Sequence, residues 1–334
     1  MKNSIVLTTI NKLNANIKKL IFLSEQNDLE LIVIGDKKTP KNFNLKYGNY
    51  YNIQDQKKLR FNFSKICPLN SYSRKNIGYL VSIQNGNETI IETDDDNYPK
   101  NNFLKFLDLK HEVNEIKEIG WTNVYKKFTK KNLNIWPRGL PLNKIEKSPT
   151  FKNKKVRKNF YLKQGVCEGN PDVDAIYRII NKNINIKFKN EYKFSLGKAF
   201  SPINSQNTIW SKILFPLMYL PVTCTMRATD IWRGLIALNI ISNDNLSVLF
   251  YGTTMKQNRN FHVLENDLMD ELPLFESVEN AFEILKNLKL KKGPQNYLVN
   301  LHKSYDYLIK NDIFDKKEMF YLNSWIRDIN KLIT

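Results

Sequence analysis

Residues 88–97, ETIIETDDDN, place a short apolar β-strand directly before three consecutive aspartates. The threonine-flanked apolar run is typical of a buried strand, and Asp94, Asp95 and Asp96 follow at its carboxyl end. In an open α/β sheet, ligands bind beyond the carboxyl ends of the strands. The stretch therefore predicts a sheet and the edge of that sheet at which a site should lie.

The same pattern of strand and helix precedes the aspartates. Ser4–Thr9 and Glu30–Ile34 are short apolar runs that predict strands, and Asn14–Gln26 between them predicts a helix. Ser71–Gln84 has apolar residues at helical spacing just before the acidic strand. Short strands with apolar residues on both faces favour an α/β fold with a mostly parallel sheet covered by helices.

The three carboxylates predict a divalent metal site. Residues alternate sides in an extended chain, so Asp94 and Asp96 should share one side and Asp95 should face the other. Mg²⁺ or Mn²⁺ takes a few protein oxygens together with substrate phosphates, which fits a bound nucleotide diphosphate. The alternative is a solvated acidic turn in which Asp95 or Asn97 caps a helix that begins near Pro99.

Composition predicts a globular protein with an anionic partner. Of the 334 residues, 42% are hydrophobic, which is enough to form a core. The net charge of +19 favours a nucleotide, nucleic acid or anionic membrane, although a compositional bias toward Lys, Ile and Asn is an alternative explanation. Residues 121–163 carry 13 Lys or Arg against Glu146 alone, and their Pro and Gly content predicts a long functional loop.

Other sequence features bear on compartment and domain organisation. Three widely spaced cysteines favour neither disulfides nor a zinc site, and the apolar runs at 1–10 and 213–222 are too short or too interrupted by proline for a signal or an anchor. We therefore expect a cytoplasmic protein, with peripheral contact to the inner face of a membrane left open. A boundary near Leu268 divides a catalytic domain, residues 1–268, from a helical region, residues 269–334.

Seven motifs lie in order along the chain: Leu31–Pro40 (LIVIGDKKTP), Ser71–Gln84 (SYSRKNIGYLVSIQ), Ile91–Asn97 (IETDDDN), Trp136–Leu140 (WPRGL), Gln164–Arg178 (QGVCEGNPDVDAIYR), Asn204–Trp210 (NSQNTIW) and Arg227–Gly234 (RATDIWRG). Together they resemble the STELLO family of glycosyltransferases. The resemblance covers roughly residues 1–251 and implies a GT-A type, Rossmann-like mixed sheet that binds a nucleotide-sugar with a divalent metal at a DxD-like motif. The Golgi setting of the plant members is not expected for this chain.

The resemblance also implies roles at the donor end of such a site. Asp94 would contact the ribose or the sugar, Asp96 would hold the metal, and Asp95 would belong to the donor-binding residues. The remaining donor residues are expected near the base and ribose (Thr8, Thr9, Ile10 and Asp36) or near the phosphates or base (Arg74 and Lys75). For each of them, turn, cap or solvated-surface chemistry is the alternative.

At the acceptor end, Asp230 stands at a helix start where inverting GT-A enzymes place their base, so it is the candidate catalytic residue. Arg227 and Arg233 could hold phosphate or pair with Asp230. His262 is a candidate third metal ligand beside Asp94 and Asp96. The residues expected near the sugar or acceptor are Glu168, Asn170, Asp172, Arg227 and Trp136, with Trp136 stacking on a sugar or base. The structural alternatives are a helix start capped by Asn170 and a core position for Trp136.

The function predicted first is glycosyl transfer from a nucleotide-diphosphate sugar, with a UDP-sugar favoured, to a hydroxyl of a glycan, lipid-linked or small-molecule acceptor. A nucleotide-sugar mutase or a nucleotidyltransferase on the same fold would also need the acidic triplet. The third possibility is a non-catalytic binder of nucleic acid or of an anionic membrane through residues 121–163. Because the sequence contains no nucleic-acid-binding motif, a nucleic-acid partner ranks last.

Overall fold

A large mixed sheet passes through the molecule, and the acidic triplet lies at the carboxyl end of one of its interior strands. The computed structural model describes residues 2–129, 133–181, 183–260 and 262–333. Its strands are β1 (Asn3–Thr9), β2 (Glu30–Gly35), β3 (Asn49–Tyr51), β4 (Thr89–Thr93), β5 (Asn97–Pro99), β6 (Lys110–Glu115), β7 (Ile119–Trp121), β8 (Val156–Asn159), β9 (Leu162–Gly169), β10 (Lys193–Ser195), β11 (Lys198–Phe200), β12 (Asn207–Ser211) and β13 (Val248–Gln257).

The α-helices are α1 (Ala15–Gln26), α2 (Ile53–Lys58), α3 (Asn62–Ile66), α4 (Lys75–Gln84), α5 (Tyr125–Phe128), α6 (Ala175–Ile180), α7 (Thr229–Asn243), α8 (Leu264–Lys286), α9 (Tyr297–Lys310) and α10 (Glu318–Ile333). Short 3₁₀ turns lie at Tyr72–Arg74, Leu142–Lys144, Lys212–Leu217 and Pro294–Asn296. Among the helices and strands of the described ranges, no helix is both long and apolar enough to cross a bilayer.

The sheet order is β3-β2-β1-β4-β12-β9-β13-β10-β6-β8, with β5 paired to β13 and with β7 and β11 forming a separate ribbon. Along this order, β12, β10 and β6 run against the other strands. The expected mixed, mostly parallel α/β sheet is confirmed. The three strands predicted before the aspartates correspond to β1, β2 and β4, which are neighbours and parallel.

Each face of the sheet carries its own apolar layer. On β1, Val6 points into one hydrophobic cluster while Ile5 and Leu7 point into another, as the period of two in a strand requires. Helix α1 covers the Ile5 face, and helices α4, α7, α9 and α10 cover the Val6 face. Burial on both faces explains why these strands are nearly continuous apolar runs.

A buried ion pair joins β4 to α7. Arg233 donates to both carboxylate oxygens of Glu92 at 2.7 Å, and Trp210 Nε1 donates to the same carboxylate at 2.8 Å. Both members of the pair are essentially inaccessible to solvent. The expectation that Arg233 holds phosphate or pairs with Asp230 is therefore wrong, because its guanidinium is committed to the residue that anchors β4.

The C-terminal helices share the core of the sheet. Leu322, Trp325 and Ile329 on α10 are fully buried in the same cluster as Val6. Asp328 accepts hydrogen bonds from the backbone N–H groups of Asn62 and Phe63 at the start of α3. Helix α8 begins before residue 268 and continues past it, so the position at which the sequence divides the chain lies inside a helix.

Two of the structural alternatives offered for residues around the site are wrong. The chain continues as β5 at Pro99 rather than as a helix, because Asn97–Pro99 pairs antiparallel with the end of β13. The helix after β9 is capped by Asp174, which accepts from Tyr177 N–H at 2.7 Å, and not by Asn170. At Pro99 a long-range contact overrides the local signal, whereas the helix after β9 begins four residues later than a helix capped by Asn170 would, with a local cap of its own.

Residues 121–163 contain more structure than the predicted loop. They include α5 and β8, and several of their cations have acidic partners: Lys126 contacts Glu146, and Lys152 and Lys158 share Glu115. Lys163 is buried, and this burial lowers its pKa to about 8. Lys130 and Lys131 lie outside the described residues.

Candidate active site

A cavity of about 630 Å³ opens at the carboxyl edge of β1, β2 and β4. This volume is in the range of small-molecule sites in proteins. Its position beyond the strand ends is where an open α/β sheet holds a ligand. The site residues predicted from the sequence that line it are Thr8, Thr9, Ile10, Asp36, Arg74, Asp94, Asp95, Asp96, Asp172, Arg227, Asp230 and His262.

The three aspartates form a tight turn between β4 and β5, closed by a hydrogen bond from Asn97 N–H to the Asp94 carbonyl at 3.2 Å. Alternation along a strand therefore does not apply, and each carboxylate has its own neighbours. Asp94 Oδ1 accepts from Lys75 Nζ at 2.7 Å and from the Tyr72 hydroxyl at 2.6 Å. The predicted grouping of Asp94 with Asp96 on one side of a strand is wrong.

Asp95 faces the end of β1. Its Oδ2 accepts from Thr9 Oγ1 at 2.5 Å and from Asn11 Nδ2 at 3.0 Å. Its backbone carbonyl accepts from the side-chain amides of Asn14 and Asn16. Asp95 therefore fixes the turn against β1 and the start of α1.

Asp96 retains a free oxygen. Its Oδ2 accepts from Gln257 Nε2 at 3.0 Å, whereas Asp96 Oδ1 and Gln257 Oε1 are buried and have no hydrogen-bond partner among the described residues. Burial and the negative charge of Asp94 raise the pKa of Asp96 to about 7. A buried carboxylate and an amide oxygen without donors are suitable ligands for a hard cation.

The predicted metal set of Asp94, Asp96 and His262 is not preassembled. His262 Nδ1 lies 3.0 Å from Asp267 Oδ1, and Asp94 is paired with Lys75. Within the described ranges, no three His, Cys, Asp or Glu side chains are grouped so as to hold a metal ion. A cation at Asp96 would therefore need further oxygens from a ligand, as Mg²⁺ usually does.

The ends of β1 and β2 form the other side of the cavity. Asp36 Oδ1 accepts from Asn70 N–H at 2.9 Å and Oδ2 accepts from Ser71 N–H at 3.0 Å, so the carboxylate holds the loop before α4. The Thr9 carbonyl accepts a hydrogen bond from the Thr39 hydroxyl, and this contact joins the end of β1 to the segment after β2.

Arg74 and Lys75 are buried rather than directed freely at phosphates. Arg74 Nε donates to Gln56 Oε1 at 3.0 Å, and Arg74 Nη1 donates to the Cys67 carbonyl at 3.1 Å. Lys75 is fully buried, and its ammonium contacts Asp94 and the Ser205 carbonyl. These contacts assign Arg74 to holding its loop and Lys75 to orienting Asp94.

Arg138 is a central residue of the site for which the sequence predicted no role. Its guanidinium donates to Asp172 at 2.8 and 2.9 Å and to Asp230 at 3.0 and 3.1 Å, with all three side chains buried. Burial alone would raise the pKa of Asp172, but Arg138 holds it at about 2. Gly139, with φ of +83°, allows the turn, since a Cβ there would lie 2.4 Å from Ile231 Cγ2.

Asp230 lies in the first turn of α7, as predicted, and both of its oxygens are engaged. Besides Arg138, its Oδ2 accepts from Ser205 N–H and from Ser205 Oγ, each at 3.2 Å. The Ser205 hydroxyl also contacts Tyr72, which in turn donates to Asp94. A continuous polar chain thus joins the acidic turn to the start of α7.

Three residues predicted near the sugar or acceptor do not line the cavity. Trp136 is a core residue that donates from Nε1 to Asp174 at 2.5 Å and packs edge-on against Tyr177. Glu168 pairs with Lys100 at 3.1 Å, because β9 continues to Gly169 beside β13. Asn170 accepts from Arg178. The expectation that Trp136 stacks on a ligand is therefore wrong.

Comparisons with known proteins bear on this arrangement. Residues 227–333 match the sequence profile of a family described as STELLO glycosyltransferases. The Arabidopsis thaliana proteins named "Probable glycosyltransferase STELLO2" and "Probable glycosyltransferase STELLO1" are 28% and 29% identical over 61% of this chain. The resemblance to the STELLO family is confirmed. The chain spans 29% of the length of each of these relatives.

The match to the STELLO profile begins at Arg227 and extends through α10. It therefore includes Asp230, Gln257 and His262, while the acidic turn lies outside it. Among solved structures, the crystal structure of M. tuberculosis glucosyl-3-phosphoglycerate synthase is similar with a TM-score of 0.41 and 13% identity. The structural match covers 83% of this chain and 80% of the synthase chain.

Proposed function

We propose that this STELLO-like chain is a glycosyltransferase that uses a nucleotide-diphosphate sugar, with a UDP-sugar favoured, and Mn²⁺ or Mg²⁺. One observation carries the proposal: Asp96 and Gln257 line the cavity, and their Oδ1 and Oε1 atoms are buried without a donor in the described part of the chain. Leaving such groups unsatisfied costs free energy that a bound cation would remove. The metal ligands proposed here are Asp96 and Gln257, in place of Asp94 and His262.

The acceptor oxygen would bond to the anomeric carbon as the bond to the diphosphate breaks, with the acceptor's proton passing to the released diphosphate or to water. The metal would neutralise the charge of that leaving group. The protein provides one carboxylate and one amide oxygen, so the diphosphate would complete the coordination. A site built in this way binds metal and nucleotide together, and each should strengthen the binding of the other.

The nucleoside of the donor would lie at the ends of β1 and β2, where Thr8, Thr9, Ile10 and Asp36 line the cavity. Asp94 would then contact the ribose or the sugar. Lys75 and Tyr72 hold the Asp94 carboxylate in one orientation, which fixes where that contact can form. Such preorganisation is what a transferase needs to position its donor.

Asp230 was the predicted base, and its hydrogen bonds favour a positioning role instead. Arg138 contacts both carboxylate oxygens and Ser205 contacts Oδ2, so neither oxygen of Asp230 is free to contact an acceptor hydroxyl. We propose that Asp230 and Asp172 hold Arg138 at the cavity wall, where the guanidinium helps to orient the sugar or the acceptor.

Calorimetric titration with UDP, GDP and CDP, in Mn²⁺ and then in EDTA, tests the proposal. We expect one nucleotide to bind only with metal, and Asp96→Asn to weaken that binding at least about tenfold. The exposed Glu112→Gln is the matched control and should bind as wild type does. Binding that ignores both EDTA and Asp96→Asn would overturn the metal-nucleotide assignment.

A further inference from the structure

The cavity wall before α7 and after β13 carries cationic side chains that the donor site does not use, and Arg178 of α6 lies near them without lining the cavity. Arg227 donates to Glu271 at 2.8 Å, while Asp267 is shared by Arg259 at 2.8 Å, His262 at 3.0 Å and Arg227 at 3.8 Å. One carboxylate thus faces three basic groups. The arginine cluster, as we call it, consists of Arg178, Arg227, Arg259 and His262.

Two guanidinium groups of the arginine cluster are incompletely satisfied. Arg178 Nε and Arg259 Nε are buried and have no hydrogen-bond partner among the described residues. Arg178 is 5% exposed and donates to neutral acceptors, the Asn170 side chain and the Pro171 carbonyl. Burial and the positive charges of Arg259 and Arg227 lower the pKa of Arg178 to about 9. Buried cations in this condition favour an anion.

The arginine cluster lies apart from the nucleoside end of the cavity. Arg227, Arg259 and His262 line the same cavity as Asp36. Asp36 follows β2, however, and Arg259 follows β13. In the sheet, four strands lie between β2 and β13, namely β1, β4, β12 and β9. At the usual strand spacing these strand ends are on the order of 20 Å apart. Asp96 contacts the end of β13 and so lies on the cluster's side of the nucleoside.

We propose that the arginine cluster binds an anionic group of the acceptor, a phosphate or a carboxylate, beside the donor. The assignment of this anion to an acceptor rests on the proposed function. Guanidinium groups bind both kinds of oxyanion through paired N–H donors. An acceptor with only hydroxyl groups could accept hydrogen bonds from the N–H groups of the cluster but would leave their positive charge without a counter-charge.

Titration with inorganic phosphate and with acetate, each with and without saturating nucleoside diphosphate and Mn²⁺, tests the proposal. We expect at least one anion to bind equally well in both conditions, and the tighter one identifies the acceptor group. Arg259→Gln should weaken it about tenfold, the loss of roughly one charge-assisted hydrogen bond. Lys144→Gln removes a cation outside the cavity and should have no effect.

Competition between the anion and the nucleotide would overturn the proposal, because the cluster would then belong to the donor diphosphate. Wild-type anion binding by both Arg259→Gln and His262→Gln would also overturn it, as would the absence of anion binding. If Arg259→Gln does not fold, His262→Gln decides. If the proposed function is wrong, the protein should bind no nucleotide at all, which is a different result. Phosphate binding to the nucleotide-free protein would then still test the arginine cluster.

Discussion

Three consecutive aspartates have three different environments because each meets a different part of the fold. Asp94 faces a lysine and a tyrosine of the segment before β4, Asp95 faces the end of β1, and Asp96 faces the end of β13. Only Asp96, of these three, has a fully buried oxygen without a donor in the described structure. Chemical identity in the sequence therefore says little about which carboxylate holds a ligand.

Arg138 should be the most costly residue of the site to neutralise. Arg138→Gln leaves Asp172 and Asp230 buried without their counter-charge, so we expect the free energy of unfolding to fall by about 3–5 kcal/mol. Urea denaturation followed by circular dichroism measures the change. Arg157→Gln removes an exposed arginine from the same segment and should cost less than about 0.5 kcal/mol. Equal stability of the two variants would contradict the role given to Arg138.

Asp174 should make stability depend on pH. Burial raises its pKa from the ordinary value of 3.8 to about 6. Hydrogen bonds from Tyr177 N–H and Trp136 Nε1 act in the opposite direction and offset only part of this increase. The folded protein holds this proton more tightly than the unfolded chain, so ionisation destabilises the fold as pH rises through about 4 to 6. Relative to Asp174→Asn, wild type should lose roughly 1 kcal/mol between about pH 5 and pH 7. Parallel pH profiles of the two proteins would contradict this prediction.

At the scale of elements, the sequence predicted the strands and helices with strong periodic patterns. The apolar runs before the aspartates are β1, β2 and β4, and the helix predicted over Ser71–Gln84 corresponds to a 3₁₀ turn followed by α4. The failures lie where partners are distant in sequence. Asn97–Pro99 is a strand because β13 pairs with it, and no local signal around Pro99 records that contact.

The candidate site was predictable only in part for the same reason. The aspartates and the strand ends could be placed at one edge, because parallel strands end together. Arg138 and Gln257 could not, since their roles arise from contacts with Asp172, Asp230 and Asp96. The turn Pro137-Arg138-Gly139 was a signal for Arg138, but it did not indicate where the arginine points.

Helix α10 should depend on its first acidic residue. Glu318 is fully buried and accepts from Val222 N–H at 3.0 Å, from Thr223 N–H at 2.7 Å and from the Tyr219 hydroxyl. Glu318→Gln presents an amide N–H₂ to these donors, so we expect a loss of about 2–4 kcal/mol in the free energy of unfolding. Thermal and urea unfolding of Glu318→Gln and of the exposed Glu276→Gln provide the comparison. A loss common to both variants would contradict a specific role for Glu318.

For the whole molecule, the sheet and the C-terminal helices form a common core. Trp325 is fully buried and donates to the Pro216 carbonyl at 3.2 Å, and Asp328 caps α3 near the N-terminal strands. Several positive charges of residues 121–163 already have acidic partners within the protein. Lysines of this segment pair with Glu115 and Glu146, and Arg138 belongs to the site. Their pairing weakens the case for a simple nucleic-acid-binding surface.

A fragment ending at residue 268 should therefore fail to fold. This truncation removes α9, α10 and most of α8, and it would expose the apolar face of the sheet that these helices cover. We expect no cooperative thermal transition by circular dichroism and no nucleotide binding. Phe320→Ser changes a residue of α10 that is 60% exposed and should melt as wild type does. A folded fragment that binds nucleotide would show instead that residues 269–334 are a separate region.

The location of the metal tests the central claim most directly. Crystals grown with Mn²⁺ and the nucleoside diphosphate that binds in calorimetry should give an anomalous manganese peak within about 2.5 Å of Asp96 Oδ1 and Gln257 Oε1. The diphosphate should complete the coordination, with the nucleoside at the ends of β1 and β2. A manganese peak elsewhere, or a nucleotide bound with no metal at Asp96, would contradict the proposed site.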